Sequence, residues 1–267
     1  MKTLYLDCTN GVSGDMVLRA LAELAGFDHD ALTPLHIHAH EHSHGGYSHS
    51  HEHIHADHNH DHADHAHADH DHEHAHEHGH THSHNDHGRS YSDVKHIIDA
   101  QEAYTAKARE TAKNIYAVIA KAEATVHGET LETVHFHEVG RDQAIANALG
   151  IGAALDVIGP GRVIASKIND GSGFVDCAHG RIPVPVPAVQ AMMDECGRIY
   201  PALRFDTCTD VDTEMVTPSG LAAVIGIGAA PAESGMMFMN GQITGETEVK
   251  GTRDTGRGGL RVYVIED

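Results

Sequence analysis

The sequence predicts an α/β protein, a mixed sheet with flanking helices, interrupted by one disordered histidine-rich insertion. Three observations carry that expectation. Short apolar runs with a strand's pattern stand near the two ends, Leu4 to Asp7 and the alternating Leu260, Val262 and Val264. Between them lie stretches whose apolar residues recur at helical spacing. Of the 29 histidines, 23 fall between His36 and His87, among Asp, Glu, Ala, Gly and Ser. A segment so poor in apolar side chains cannot offset its own chain entropy by burial. Residues 1–267 are therefore expected to form a single α/β domain with a disordered, metal-binding insertion at 36–88.

Leu4 to Asp7 reads as a short buried strand, and Gly11-Val12-Ser13-Gly14-Asp15 turns it into an amphipathic helix that reaches Ala25. The first turn of such a helix offers unpaired N–H groups and the positive end of a dipole, with Ser13 as cap or further donor. That suits a phosphate or carboxylate, and a plain capped helix start fits the same residues. No Gly-Lys-Ser/Thr follows for a P-loop, and Asp15 stands where a hydrolase nucleophile elbow needs its last glycine. Asp7 and Asp15 flank the loop, where carboxylates can hold a cation beside an anion.

After the insertion, Ser92 is placed to cap a helix carrying Val94, Ile97 and Ile98. A longer helix, Thr105 to Val126, has Ile115, Val118, Ile119 and Ala122 on one stripe, and Gly128 ends it. The segment Val134 to Gly140, VHFHEVG, follows. As a strand it points His135 and His137 to one face, where two imidazoles can share a metal ion, and Glu138 to the other. Two surface histidines on an edge strand are the other reading. The spacing is not the helical His-Glu-x-x-His of a zinc protease.

Asp142 to Val157 reads as a buried helix and Arg162 to Ile168 as a strand. Gly171-Ser-Gly173 opens a hairpin or bulged strand over Phe174 to Ile182. Pro183, Pro185 and Pro187 form a stiff extended connector, with Pro187 near the first turn of an Ala188 to Glu195 helix. The connector fixes where His179 points, as a ligand or as a satisfied loop group. Glu214 to Gly220 makes a second strand-to-helix turn before the apolar Leu221 to Ile227, and Thr217 and Ser219 can donate to an anion there. Gly251-Thr252-Arg253-Asp254 is a glycine-rich loop with Arg257 and Arg261 close by, and arginine suits phosphate.

Composition narrows the function. A formal net charge of −21, with no Lys or Arg between Ala20 and Gly88, argues against a nucleic-acid partner, which needs a basic patch. No apolar run is long enough to span a bilayer and the start lacks a signal segment, so no membrane partner and a cytoplasmic location are expected. Cys8, Cys177, Cys196 and Cys208 show no Cys-x-x-Cys spacing and read as reduced thiols. The histidine tract is expected to hold several ions loosely, through His51, His53, His55, His58, His60, His62, His65, His67, His70, His72, His74, His76, His78, His80, His82 and His84.

In chain order, LDCTNGVSGDM, the His-rich insertion, RSYSDV, VHFHEVG, HGRIPVPVPA, VTPSG and GTRD resemble the LarC-type nickel-insertion proteins over nearly the whole chain. The resemblance implies a nickel chelatase, of the lyase class, that inserts Ni2+ into pyridinium-3,5-bisthiocarboxylic acid mononucleotide. The product is the nickel-pincer cofactor of lactate racemase and its relatives. It also implies CTP with Mn2+ or Mg2+, bound by a C-terminal domain that family members commonly carry. Here a separate CTP-binding LarC chain or domain is expected to supply it. On the matching motifs, Asp7, Ser13, Asp15 and Glu138 are expected to be catalytic. Gly11, Ser13, Gly14, Thr217, Ser219, Gly220 and Arg253 are expected on the mononucleotide, and His135, His137, Glu138 and His179 on the metal. The chain departs from the family at Gln143 and Asn147, where acidic residues are usual. It departs again at Glu248-Val249-Lys250, where glycines are, and at Arg257-Gly258-Gly259 in place of Arg-Pro-Asn. From a different class, a non-catalytic nickel store or metallochaperone is the alternative. Homo-oligomerisation is left open.

Overall fold

The computed structural model describes residues 1–27, 88–177, 180–233 and 241–266. Residues 36–87 of the insertion expected at 36–88, with its histidines, and His179 lie outside the described residues. All the described residues belong to one compact unit, Met1–His36 with His87–Asp267.

Strand β1 (Lys2–Asp7) leads through Ser13 into α1 (Gly14–Ala25). After the insertion come β2 (Arg89–Ser90), α2 (Tyr91–Asp99), α3 (Ala106–His127), β3 (His135–Phe136) and α4 (Asp142–Ile158). Then follow β4 (Arg162–Ala165), β5 (Ile168–Asp170), the hairpin β6 (Phe174–Cys177) and β7 (Gly180–Pro183), and α5 (Pro187–Glu195). The chain closes with β8 (Phe205–Thr207), α6 (Pro218–Gly226), β9 (Ala230–Pro231), β10 (Gln242–Val249) and β11 (Leu260–Glu266).

The main sheet runs β10-β11-β1-β4-β9. It is mixed, because β1 pairs antiparallel with β11 and parallel with β4. The period-two rule sorts its side chains. Leu4 and Leu6 enter the large core with α1, α3, α4 and α6, while Tyr5 turns to the other face and packs with Ile164 and Ile265. Helix α4 is apolar nearly all round, as a helix packed on several sides must be. Gly152 lets it lie directly on α3, since a Cβ there would sit 2.3 Å from the Ala108 carbonyl oxygen. Among the described residues no helix is long and apolar enough to cross a membrane. All four cysteines are free, with Cys8 fully buried.

Three local expectations change. Helix α2 is capped by Ser90 rather than Ser92. Ser90 Oγ accepts the Asp93 amide at 3.1 Å and Asp93 Oδ2 accepts the Ser90 amide at 3.1 Å, a reciprocal box that Ser92 has no partner to make. The single strand expected over Arg162 to Ile168 divides into β4 and β5. Ser166 leaves the ladder, taking the Cys8 amide on its hydroxyl at 2.8 Å and donating to the Lys167 carbonyl, and β5 pairs with β8 in a separate sheet. Strand β10 carries no core-facing run that would mark it, and it forms by pairing along β11.

Candidate functional site

The turn from β1 into α1 and the segment that leads into α6 lie side by side. Val12 and Val216 form a parallel bridge, with the Val12 amide donating to the Met215 carbonyl at 2.9 Å and the Thr217 amide to the Val12 carbonyl at 3.0 Å. Glycines permit the contact. Gly11 has φ +88°, and a Cβ on it would lie 2.3 Å from the Met215 oxygen, while one on Gly220 would lie 2.3 Å from the Val12 oxygen. Helices α1 and α6 therefore begin next to each other. Ser13 Oγ caps the Met16 amide at 3.2 Å and Thr217 Oγ1 caps the Gly220 amide at 3.1 Å. The Ser219 hydroxyl is 3.1 Å from that of Thr217. The N-terminal turns of both helices, each with its uncapped amides and the positive end of its dipole, thus start beside one another.

Two cavities meet at this place. The smaller, about 300 Å³, is bounded by Ser13 and Thr217 on one side and by Lys250, Arg253 and Arg257 on the other. The larger, about 480 Å³, has an apolar wall that includes Val175, Ile182, Val186 and Ala188, and is lined also by Ser219 and by the exposed His137 and Glu138. Glu214, Thr217 and Arg253 line both cavities and form their junction. Arg253 Nη2 pairs with Glu214 Oε1 at 2.8 Å, and Arg253 Nη1 donates to Thr213 Oγ1 at 3.2 Å. Arg257 Nη2 donates to both carboxylate oxygens of Asp210, each at 2.7 Å.

The electrostatics of the junction follow from burial. Asp170 is buried, and its Oδ1 accepts the amides of Gly171, Met215 and Val216 at 2.8, 2.8 and 3.0 Å. Burial pushes its carboxyl above the usual range, and the three amides oppose that. Glu214 is also raised, first by burial and then by the nearby carboxylates of Asp170 and Glu138, with Arg253 pulling it down.

His137 and Glu138 reach the larger cavity because the chain bends there. Strand β3 ends at Phe136, and Gly140 folds back so tightly that a Cβ on it would lie 2.6 Å from the Phe136 oxygen. Phe136 is buried against the rings of Tyr91 and Tyr116, and the Tyr116 hydroxyl donates to the Val139 carbonyl at 2.7 Å, which pins the bend. The strand itself stops at Phe136, and burial alternates along the segment as expected, with Val134 and Phe136 buried and His135 and His137 exposed. His135 is exposed in the β2–β3 ladder opposite Ser90, and His137 lies beyond the strand at the cavity. Among the described residues no group of three or more His, Cys, Asp or Glu is arranged to hold a metal ion.

Other assigned residues sort as follows. Ser13, Thr217 and Arg253 line the smaller cavity, and His137, Glu138, Thr217, Ser219 and Arg253 the larger. Gly11, Gly14 and Gly220 make the turns fit. Asp7 is occupied by a local turn, its Oδ1 accepting the Thr9 hydroxyl at 2.6 Å and the Thr9 amide at 3.2 Å. Asp15 is exposed on α1 and pairs with Arg19 at 3.5 Å. Neither carboxylate lines the two cavities. Glu214 and Asp170 were not singled out in the sequence. The available signal was a glutamate immediately before a capped strand-to-helix turn.

The fold and the cleft define an α/β protein with a polar pocket bearing Lys250, Arg253 and Arg257, joined to a more apolar one lined also by His137 and Glu138. The chain belongs to the nickel insertion protein family, whose family model matches residues 4–263. It is similar to the pyridinium-3,5-bisthiocarboxylic acid mononucleotide nickel insertion protein of Acetivibrio thermocellus, 34% identical over 84% of this chain and 51% of the relative. The protein of the same description from Lactiplantibacillus plantarum is 37% identical over 84% of this chain and 52% of its own. A putative nickel insertion protein of a Geobacter species is 33% identical, covering 100% of this chain and 66% of the relative. The chain thus spans about half the length of the first two relatives. No solved structure matches it significantly.

Proposed function

We propose that this chain binds the pyridinium mononucleotide and receives nickel for insertion into it, as the names of its relatives describe. The phosphate occupies the smaller cavity against the α1 and α6 amides, Ser13, Thr217, Lys250 and Arg253. The pyridinium ring occupies the apolar part of the larger one. Nickel, the inorganic substrate, arrives at the mouth, where His137 and Glu138 supply nitrogen and oxygen donors and the thiocarboxylate sulfurs supply the soft ligands. Imidazole and carboxylate bind the ion without holding it in a closed cage, which suits transfer rather than storage. The observation that carries this reading is the pair of joined cavities, one with Ser13, Thr217, Lys250 and Arg253, the other apolar with His137 and Glu138. Their volumes lie in the range of small-ligand sites.

We place the chemistry in the chelatase, lyase-type class, in the cytoplasm, with CTP and Mn2+ or Mg2+ held by a C-terminal LarC chain or domain. Residues 1–267 act as its single α/β nucleotide-binding domain, and the histidine tract as a loose nickel reserve. Purified chain, Ni2+ and the bisthiocarboxylic mononucleotide, incubated with CTP and Mn2+ and with or without the CTP-binding chain, test the reading. Nickel-loaded cofactor formed with the second chain present is expected. Release of nickel without product in both mixtures would favour the store or metallochaperone, for which the 23 clustered histidines speak.

A further inference from the structure

Taking the smaller cavity as the phosphate subsite proposed above, the geometry points to Glu214 as a positioning residue. It holds Arg253 across the junction of the two cavities until a phosphate monoester takes its place. Both terminal nitrogens of the Arg253 guanidinium are turned to one segment, Nη2 to Glu214 Oε1 at 2.8 Å and Nη1 to Thr213 Oγ1 at 3.2 Å. The two partners differ in freedom. The Arg253 side chain is 44% exposed, whereas that of Glu214 is 11% exposed. The backbone just after Glu214 is fixed through the Met215 and Val216 amides to Asp170. The arginine is the member that can move.

Charge gives the exchange its consequence. Glu214 lies among the carboxylates of Asp170 and Glu138, and Arg253 is the cation that compensates it. An incoming phosphate draws Arg253 into the smaller cavity and leaves Glu214 to face the larger one with Glu138. A divalent cation arriving there restores the balance. Anion binding at one end thereby favours cation acceptance at the other, and linkage makes the effect mutual. The order of events follows, with mononucleotide seated first and nickel accepted second.

The test is a double-mutant cycle on the full chain, read by calorimetric titration with ribose 5-phosphate in the absence of nickel. Releasing Arg253 by Glu214→Gln should tighten ribose 5-phosphate by about fivefold or more, the lower end of ordinary coupling. The same substitution in an Arg253→Gln background should change nothing beyond about twofold, because the gain acts through the arginine. Glu214→Ala, which removes the acceptor altogether, should tighten binding as well and stands in should the Gln variant not fold. Unchanged or weaker binding by both Glu214 variants would overturn the assignment. So would an equal gain with Arg253 absent, which would make Glu214 a plain repulsive charge. If neither wild type nor Glu214→Gln binds ribose 5-phosphate, the phosphate subsite itself is lost, and this role of Glu214 with it.

Discussion

The two cavities are built by different means. The smaller has one wall set by backbone architecture, two helix starts locked by the Val12–Val216 bridge and by glycines that admit no side chain, and is closed by the loop that carries Arg253. The larger is made of side chains from separate segments, the β3–α4 bend, the β6–β7 hairpin, the start of α5 and the Glu214 turn. A backbone site recognises a fixed shape and charge, such as a phosphate. A side-chain site can rearrange, as an incoming metal ion requires. The contrast teaches where substitutions should act on stability and where on transfer.

The largest effect should come from breaking the backbone site. Gly220→Ala puts a Cβ against the Val12 oxygen in a contact that cannot yield without moving a helix start, so a loss of about 3 kcal/mol is expected in urea unfolding. A variant as stable as wild type would show that the two turns are not locked. Next is Arg253→Gln. Losing a charged hydrogen bond to phosphate, worth about 1.5–3 kcal/mol, should weaken mononucleotide binding by roughly tenfold to a hundredfold, measured by titration, without lowering the melting temperature appreciably.

The side-chain site is sharpened by comparing its two histidines. His137→Ala should slow nickel transfer by about tenfold, while His135→Ala, exposed on the ladder, should leave it within about twofold. Equal losses would point to a paired imidazole site.

The smallest effect is on pH. A carboxyl raised in the folded state binds more protons there than when unfolded, so its contribution to stability falls as pH rises from about 4 through the raised value. Asp170→Asn does not titrate and can still accept the three amides on Oδ1. The stability of wild type minus that of Asp170→Asn should therefore decline from acid to neutral pH, in denaturant midpoints taken at several pH values. A rise would mean that the amides outweigh burial.

What could be read from the sequence was what local pattern decides. Strands β1 and β11, helices α1, α3 and α4 and the hairpin at Phe174 follow from apolar periodicity, glycine and proline. The two capped helix starts were legible because Ser13 and Thr217 each stand where a cap belongs. What escaped depends on distant partners. Strand β10 exists because β11 offers it a ladder, and Ser166 breaks a strand because the Cys8 amide finds it. The bend that ends β3 before His137 needs Gly140 to close on Phe136. Glu214 becomes special only beside Arg253, Asp170 and Glu138, and no spacing along the chain announces that.

The central claim is that one mononucleotide spans both cavities, phosphate in the backbone site and ring in the apolar one. The most direct measurement pairs two probes, ribose 5-phosphate and nicotinic acid mononucleotide, in calorimetric titrations of wild type and Ala188→Phe. Ala188 is buried in the wall of the larger cavity, so a phenyl ring there should fill it. Nicotinic acid mononucleotide should bind wild type more tightly than ribose 5-phosphate and lose that advantage in Ala188→Phe, while ribose 5-phosphate binds both proteins alike. Equal affinity of the two probes for wild type, or an advantage that survives in Ala188→Phe, would contradict the account.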